Sequence, residues 1–78
     1  MKTQNQSATA VIAMPSLTYA LQGEAALSGR GIYVRVVKLP AGATKKGCAY
    51  GLELDSRRVP EATAILEGQK IKYGEILN

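Results

Sequence analysis

The chain has 78 residues, 46% of them apolar, and a formal net charge of +4. That is the size of one domain, and it is too apolar for a disordered segment. With no His and a single cysteine, Cys48, it offers neither an internal disulfide nor the usual ligands of a zinc site.

Phe and Trp are also missing, so the core is expected to consist of Ile, Leu, Val and Ala with some of the four Tyr. The lack of His removes the commonest general base and the commonest switch near neutral pH. Residues 1–7 are polar and aperiodic and read as a flexible tail ahead of a single domain over residues 8–78. The apolar stretch from Val11 to Met14 is too short for a targeting segment and ends at Pro15. No run approaches the ~20 apolar residues of a membrane span. The cytoplasm is therefore the expected compartment, with no membrane contact.

Thr9 to Met14 is a short run of Ala, Val and Ile and reads as a buried central strand. Pro15-Ser16 opens a helix, with the Ser16 hydroxyl placed to accept from an orphan N–H of the first turn. Leu17, Ala20, Leu21, Glu24, Ala25 and Leu27 recur near helical spacing, so an apolar stripe through these positions is expected to face the core. Gly23 sits inside the helix, where it permits close packing on a sheet. Gly29 and Gly31 stop the helix.

Ile32 to Leu39 is β-branched and alternates. Ile32, Val34 and Val36 share one face, and Tyr33, Arg35 and Val37 the other, as in an antiparallel strand with one solvated face. Residues 40–48 form a loop too long for a tight hairpin. A third strand runs from Ala49 to Asp55, with Tyr50, Leu52 and Leu54 inward. After a turn at Ser56 to Arg58, Pro60 and Glu61 suit the first turn of a second helix. Val59, Ala62, Ile65 and Leu66 form its apolar stripe, and Gly68 ends it. Ile71 to Leu77 is a last strand, with Ile71, Tyr73 and Leu77 sharing a parity. The order β-α-β-β-α-β predicts an α+β, ferredoxin-like sandwich: a four-stranded antiparallel sheet with two helices on one face.

The chemistry converges on the middle loop. Residues 1–46 carry six basic side chains and one acid, whereas residues 47–78 carry four basic and five acidic ones. Lys45, Lys46 and Gly47 immediately precede Cys48. The thiolate is the reactive form of a cysteine, and neighbouring cations favour it. The competing reading is that Cys48 shares the parity of Tyr50, Leu52 and Leu54 and packs as a small hydrophobe. Sequence alone leaves both open.

Other chemistries find little support. Gly29-Arg30-Gly31 follows a helix and precedes a strand, the wrong order for a phosphate-binding fingerprint. The third strand offers only Tyr50 as a base-stacking aromatic, which argues against nucleic acid. Glu53 and Asp55 alternate on what is expected to be a solvated face. No nucleophile–base–orienter set can be assembled, so the chain reads as a non-enzyme without a cofactor or metal.

The segments Ser16 to Leu27, Gly31 to Pro40 and Thr44 to Leu54, with the last helix and strand, resemble a bacterial family of small selenium/sulfur carrier-like domains. The most distinctive stretch is Gly47-Cys48-Ala49-Tyr50-Gly51-Leu52. The resemblance covers roughly residues 9–77 and implies that Cys48 carries sulfur or selenium as a persulfide or selenosulfide, with Lys45, Lys46 and Gly47 forming the loop around the thiol. It also implies a separate donor or acceptor protein. The alternative is a non-catalytic binding or regulatory module that dimerises through the open sheet face, where Val37, Ala49 and Gly51 would let two sheets approach.

Overall fold

The computed structural model describes residues 8–77, and the tail assigned to residues 1–7 lies outside them. The elements are β1 (Thr9–Met14), α1 (Leu17–Ser28), β2 (Arg35–Lys38), β3 (Tyr50–Asp55), a 3-10 turn (Ser56–Arg58), α2 (Val59–Gly68) and β4 (Ile76–Leu77). The four strands form one sheet in the order β2-β3-β1-β4, and every neighbouring pair is antiparallel. This is the expected ferredoxin-like α+β arrangement.

The registers bring Val36, Leu52, Ile12 and Ile76 into a row across the sheet. These four face the helices with Met14 and Leu54. The inner faces of both helices meet above that row. A Cβ at Gly23 of α1 would lie 2.8 Å from Leu52 Cδ1, 3.3 Å from Met14 Cε and 3.3 Å from Leu66 Cδ2 of α2. Glycine is thus what lets α1 approach both the sheet and the second helix. Fully burying each Leu, Ile or Met of this cluster contributes roughly 1.5–3 kcal/mol.

Helix α1 starts as expected, with Tyr19 N donating to Ser16 Oγ at 3.2 Å. Its buried stripe differs from the expected one. Ala20, Gly23 and Leu27 are buried, whereas Leu17 and Leu21 are 42% and 50% exposed and Ala25 is exposed. The glycine draws its own side of the helix onto the sheet and rotates the leucines outward.

Both helices end in the same way. In α1, Gly31 N donates to Ser28 O and Ile32 N to Leu27 O, with Gly31 at φ 82. In α2, Lys70 N donates to Glu67 O and Ile71 N to Leu66 O, with Lys70 at φ 60. Each is a Schellman ending with an apolar residue on either side of the turn, Leu27 and Ile32 in one, Leu66 and Ile71 in the other. All four residues belong to the buried core.

Three strands are shorter than their sequence patterns. β2 begins at Arg35 rather than Ile32, although Ile32 and Val34 are buried as expected. β3 begins at Tyr50 rather than Ala49. The largest difference is in the last strand, where regular pairing is confined to Ile76 and Leu77. Gly74 N donates to Ala13 O at 2.7 Å, and Ala13 N donates to Glu75 O at 2.8 Å. Two residues therefore oppose one, which is the geometry of a β-bulge. The extra residue reverses the alternation. Ile71, Tyr73 and then Ile76 pack on the core, while Leu77 pairs with Val11 on the other face.

A cleft at Cys48

The loop between β2 and β3 is held at several points. Leu39 N donates to Ala49 O at 2.7 Å across its base, Ala43 N to Pro40 O at 3.1 Å, and Gly47 N to Thr44 O at 3.2 Å. Gly42 and Gly47 adopt φ of 81 and 73, a region that favours glycine. Thr44 is buried, and its Oγ1 accepts from Cys48 N at 2.8 Å. Lys45 N donates to Glu75 Oε2 at 2.9 Å, which ties the loop to the bulge. The backbone at Cys48 is thus fixed from within the loop and, through Lys45, from the last strand.

Cys48 itself is half-buried. It lies two residues ahead of β3, so the strand's alternation does not extend to it, and it is outside the buried core cluster. The absence of a side chain at Gly74 leaves the thiol a free flank: a Cβ there would stand 3.8 Å from Cys48 Sγ and 3.8 Å from Ala13 Cβ.

The thiol lines a cleft of about 760 Å³. The loop contributes Lys46, Gly47 and Cys48. The segment leaving α2 contributes Lys70, Lys72, Tyr73 and Gly74, and Glu67 and Pro15 complete the rim. Tyr73 Oη donates to Glu67 Oε2. That hydrogen bond raises the Tyr73 pKa above its ordinary value, with burial and the Glu67 charge adding to it. The lining thus holds three lysines and one carboxylate residue, and that carboxylate is engaged by a phenol. None of the ion pairs among the described residues, Arg35–Glu53, Arg57–Asp55 and Arg58–Glu61, involves Lys46, Lys70 or Lys72. Among the described residues, no three His, Cys, Asp or Glu side chains come together as a metal site needs, and no helix is long and apolar enough to cross a membrane.

Of the residues singled out in the sequence, Lys46, Gly47 and Cys48 come together in the cleft. Lys45 does not line it and contributes its backbone N–H to the loop's anchorage. Sequence reasoning missed Lys70, Lys72, Tyr73 and Glu67. The signal was available in the topology: in a β-α-β-β-α-β sandwich the end of the second helix and the β2–β3 loop lie at the same end of the sheet.

Fold and site together define a small ferredoxin-like α+β domain with one thiol in a lysine-rich cleft. The chain belongs to the family described as putative Se/S carrier protein-like, whose model matches residues 9–78. No curated protein and no solved structure matches it.

Proposed function

We propose that this domain is a sulfur or selenium carrier in which Cys48 takes up one chalcogen atom from a donor and passes it to an acceptor. The observation that carries this reading is the placement of the chain's one thiol, half-buried on a fixed backbone, in a cleft lined by three lysines, in a chain of this family. The thiolate attacks a donor's sulfane sulfur or the equivalent selenium and holds it as a persulfide or selenosulfide, as the bond to the donor breaks and the donor leaves with the electron pair. A second thiolate then attacks the terminal atom and releases Cys48 unchanged. Partial burial suits a carrier, because a bound persulfide has to be shielded from stray thiols yet reachable by its acceptor. Donor and acceptor are separate proteins or small molecules met in the cytoplasm.

The test is the intact mass of the reduced protein after incubation with a cysteine desulfurase and cysteine, with Cys48→Ser alongside. A gain of one sulfur, lost on mild reduction and absent from the variant, is the expected result. No adduct on the native protein, from the desulfurase or from any other sulfane-sulfur donor, would defeat the carrier reading and leave a non-catalytic binding module.

A further inference from the structure

The lysines of the cleft carry an inference about what the thiol meets there. Lys46 arrives from the loop, and Lys70 and Lys72 from the segment after α2. These segments are distant in sequence, yet the three lysines line one cleft with a single carboxylate residue, Glu67, which is hydrogen-bonded to Tyr73. Like charges crowding a concave surface repel one another and gather anions.

Lys70 sharpens the point. It is the only non-glycine residue with positive φ among the described residues. The equivalent position in the otherwise identical ending of α1 is Gly31, the residue that fits this conformation without steric cost. The fold thus accepts glycine at this position in one helix and holds a strained lysine in the other, where the side chain borders the cleft.

Building on the carrier reading, we propose that the cleft binds a dianionic oxyanion carrying a transferable chalcogen, of which thiosulfate is the simplest, with Lys46, Lys70 and Lys72 holding the anion beside Cys48. The Cys48 thiolate attacks the terminal sulfur. A new S–S bond forms to Cys48 as the bond to the sulfonate sulfur breaks, and the electron pair of the broken bond leaves with sulfite. A thiolate and a dianion become a persulfide anion and a dianion, so charge balances at minus three. The Cys48 sulfur is oxidised as the sulfonate sulfur is reduced, and no further oxidant enters. The lysines favour both the bound donor and the departing sulfite.

Binding is tested apart from transfer. The Cys48→Ser protein is titrated with sulfate and thiosulfate at low salt, following the amide NMR signals of Lys72, Tyr73 and Gly74. Saturable shifts are expected for both ions. Removing one lysine should weaken binding roughly thirtyfold, the factor for a unit charge about 4 Å from a dianion in water, and added salt should weaken it further. Lys70→Gly is the variant of choice because glycine fits φ 60, and Lys70→Arg should restore binding. Transfer is then read as the intact mass of the native protein after incubation with thiosulfate, where a gain of one sulfur is expected. Unsaturable shifts, or shifts unchanged in Lys70→Gly, would overturn the anion site. Binding without a mass gain, in a protein that a desulfurase does load, would overturn the thiosulfate step and leave the carrier reading standing. Failure of both donors to load Cys48 would remove the carrier reading itself.

Discussion

Exchanging the residues at the two helix endings isolates the energetics of one backbone angle. Gly31→Lys places a side chain at φ 82, with nothing within 4 Å of the new Cβ, so neither clash nor lost contact enters. The left-handed conformation costs a residue with a Cβ about 1–2 kcal/mol. The unfolded chain recovers about 0.4–1 kcal/mol of that, because glycine has more conformational freedom to lose on folding. The net expectation is a destabilisation of about 0.5–1 kcal/mol. Lys70→Gly reverses the same terms at φ 60 and should stabilise by a similar amount, helped by relief of repulsion with Lys46 and Lys72. For a domain of this size, 1 kcal/mol shifts Tm by about 4–8 °C. Urea unfolding of the three proteins measures the differences, with the slope against denaturant unchanged if only the folded backbone is affected. A Lys70→Gly protein less stable than the parent would refute the reasoning, and so would a Gly31→Lys protein equal to it.

Thr44→Val keeps the shape of a buried side chain but removes the acceptor of Cys48 N. It should destabilise the domain by about 1 kcal/mol, the low end of the cost of an unsatisfied N–H because this one is only partly buried, and broaden the Cys48 amide signal in NMR spectra. Gly74→Ala puts a methyl 3.8 Å from Cys48 Sγ and 3.4 Å from Ala13 O, ordinary contacts that fill the thiol's free flank. Alkylation of Cys48 by iodoacetamide should slow while stability changes by less than about 1 kcal/mol, within the usual range for a substitution that creates no cavity or clash. Asp55 accepts hydrogen bonds from the Arg57 side chain and backbone. These, the side-chain bond foremost, lower its pKa from 3.8 to about 2. The resulting stabilisation is present above pH 4 and lost as pH falls through 2, so Asp55→Asn should flatten the acid limb of a stability–pH curve by lowering stability slightly at pH 7 and leaving it unchanged below pH 2. Glu67→Gln removes the charged acceptor of Tyr73, and an absorbance titration should then show the Tyr73 phenol ionising at lower pH than in the parent.

Element order, and with it the fold, was legible because strand and helix periodicity differ and the stop signals were strong. Ser16 caps α1, and Gly31 takes the left-handed angle that ends it. The middle of the core, with Ile12, Leu52 and Leu66 inward, follows from the same periodicity. The rotation of α1 was not legible. Its apolar positions run almost all the way round, and the choice of face was made by Gly23, which contributes no hydrophobicity but permits the closest approach. Half of the cleft was legible, since Lys46, Gly47 and Cys48 are contiguous. Lys72 fell within the expected last strand and Lys70 just ahead of it, and nothing local marks a segment that a distant loop will face.

The bulge at Gly74 and Glu75 connects these points. A regular strand from Ile71 to Leu77 would put Ile71, Tyr73 and Leu77 on the core and turn Ile76 away. One extra residue opposite Ala13 lets Tyr73 stay beside Glu67 while Ile76 pairs with Ile12. The same irregularity places a side-chain-free residue against the thiol and brings the Glu75 carboxylate to Lys45 N. The feature that completes the core at the sheet edge is thus also the one that fixes the loop carrying Cys48. Straightening it by deleting Glu75 should therefore do more than shift a strand. Removing the extra residue leaves Ile71, Tyr73 and Ile76 on the core face of a regularly alternating strand, but the loop loses its anchor from the last strand, so Cys48 should be alkylated faster while the core is kept.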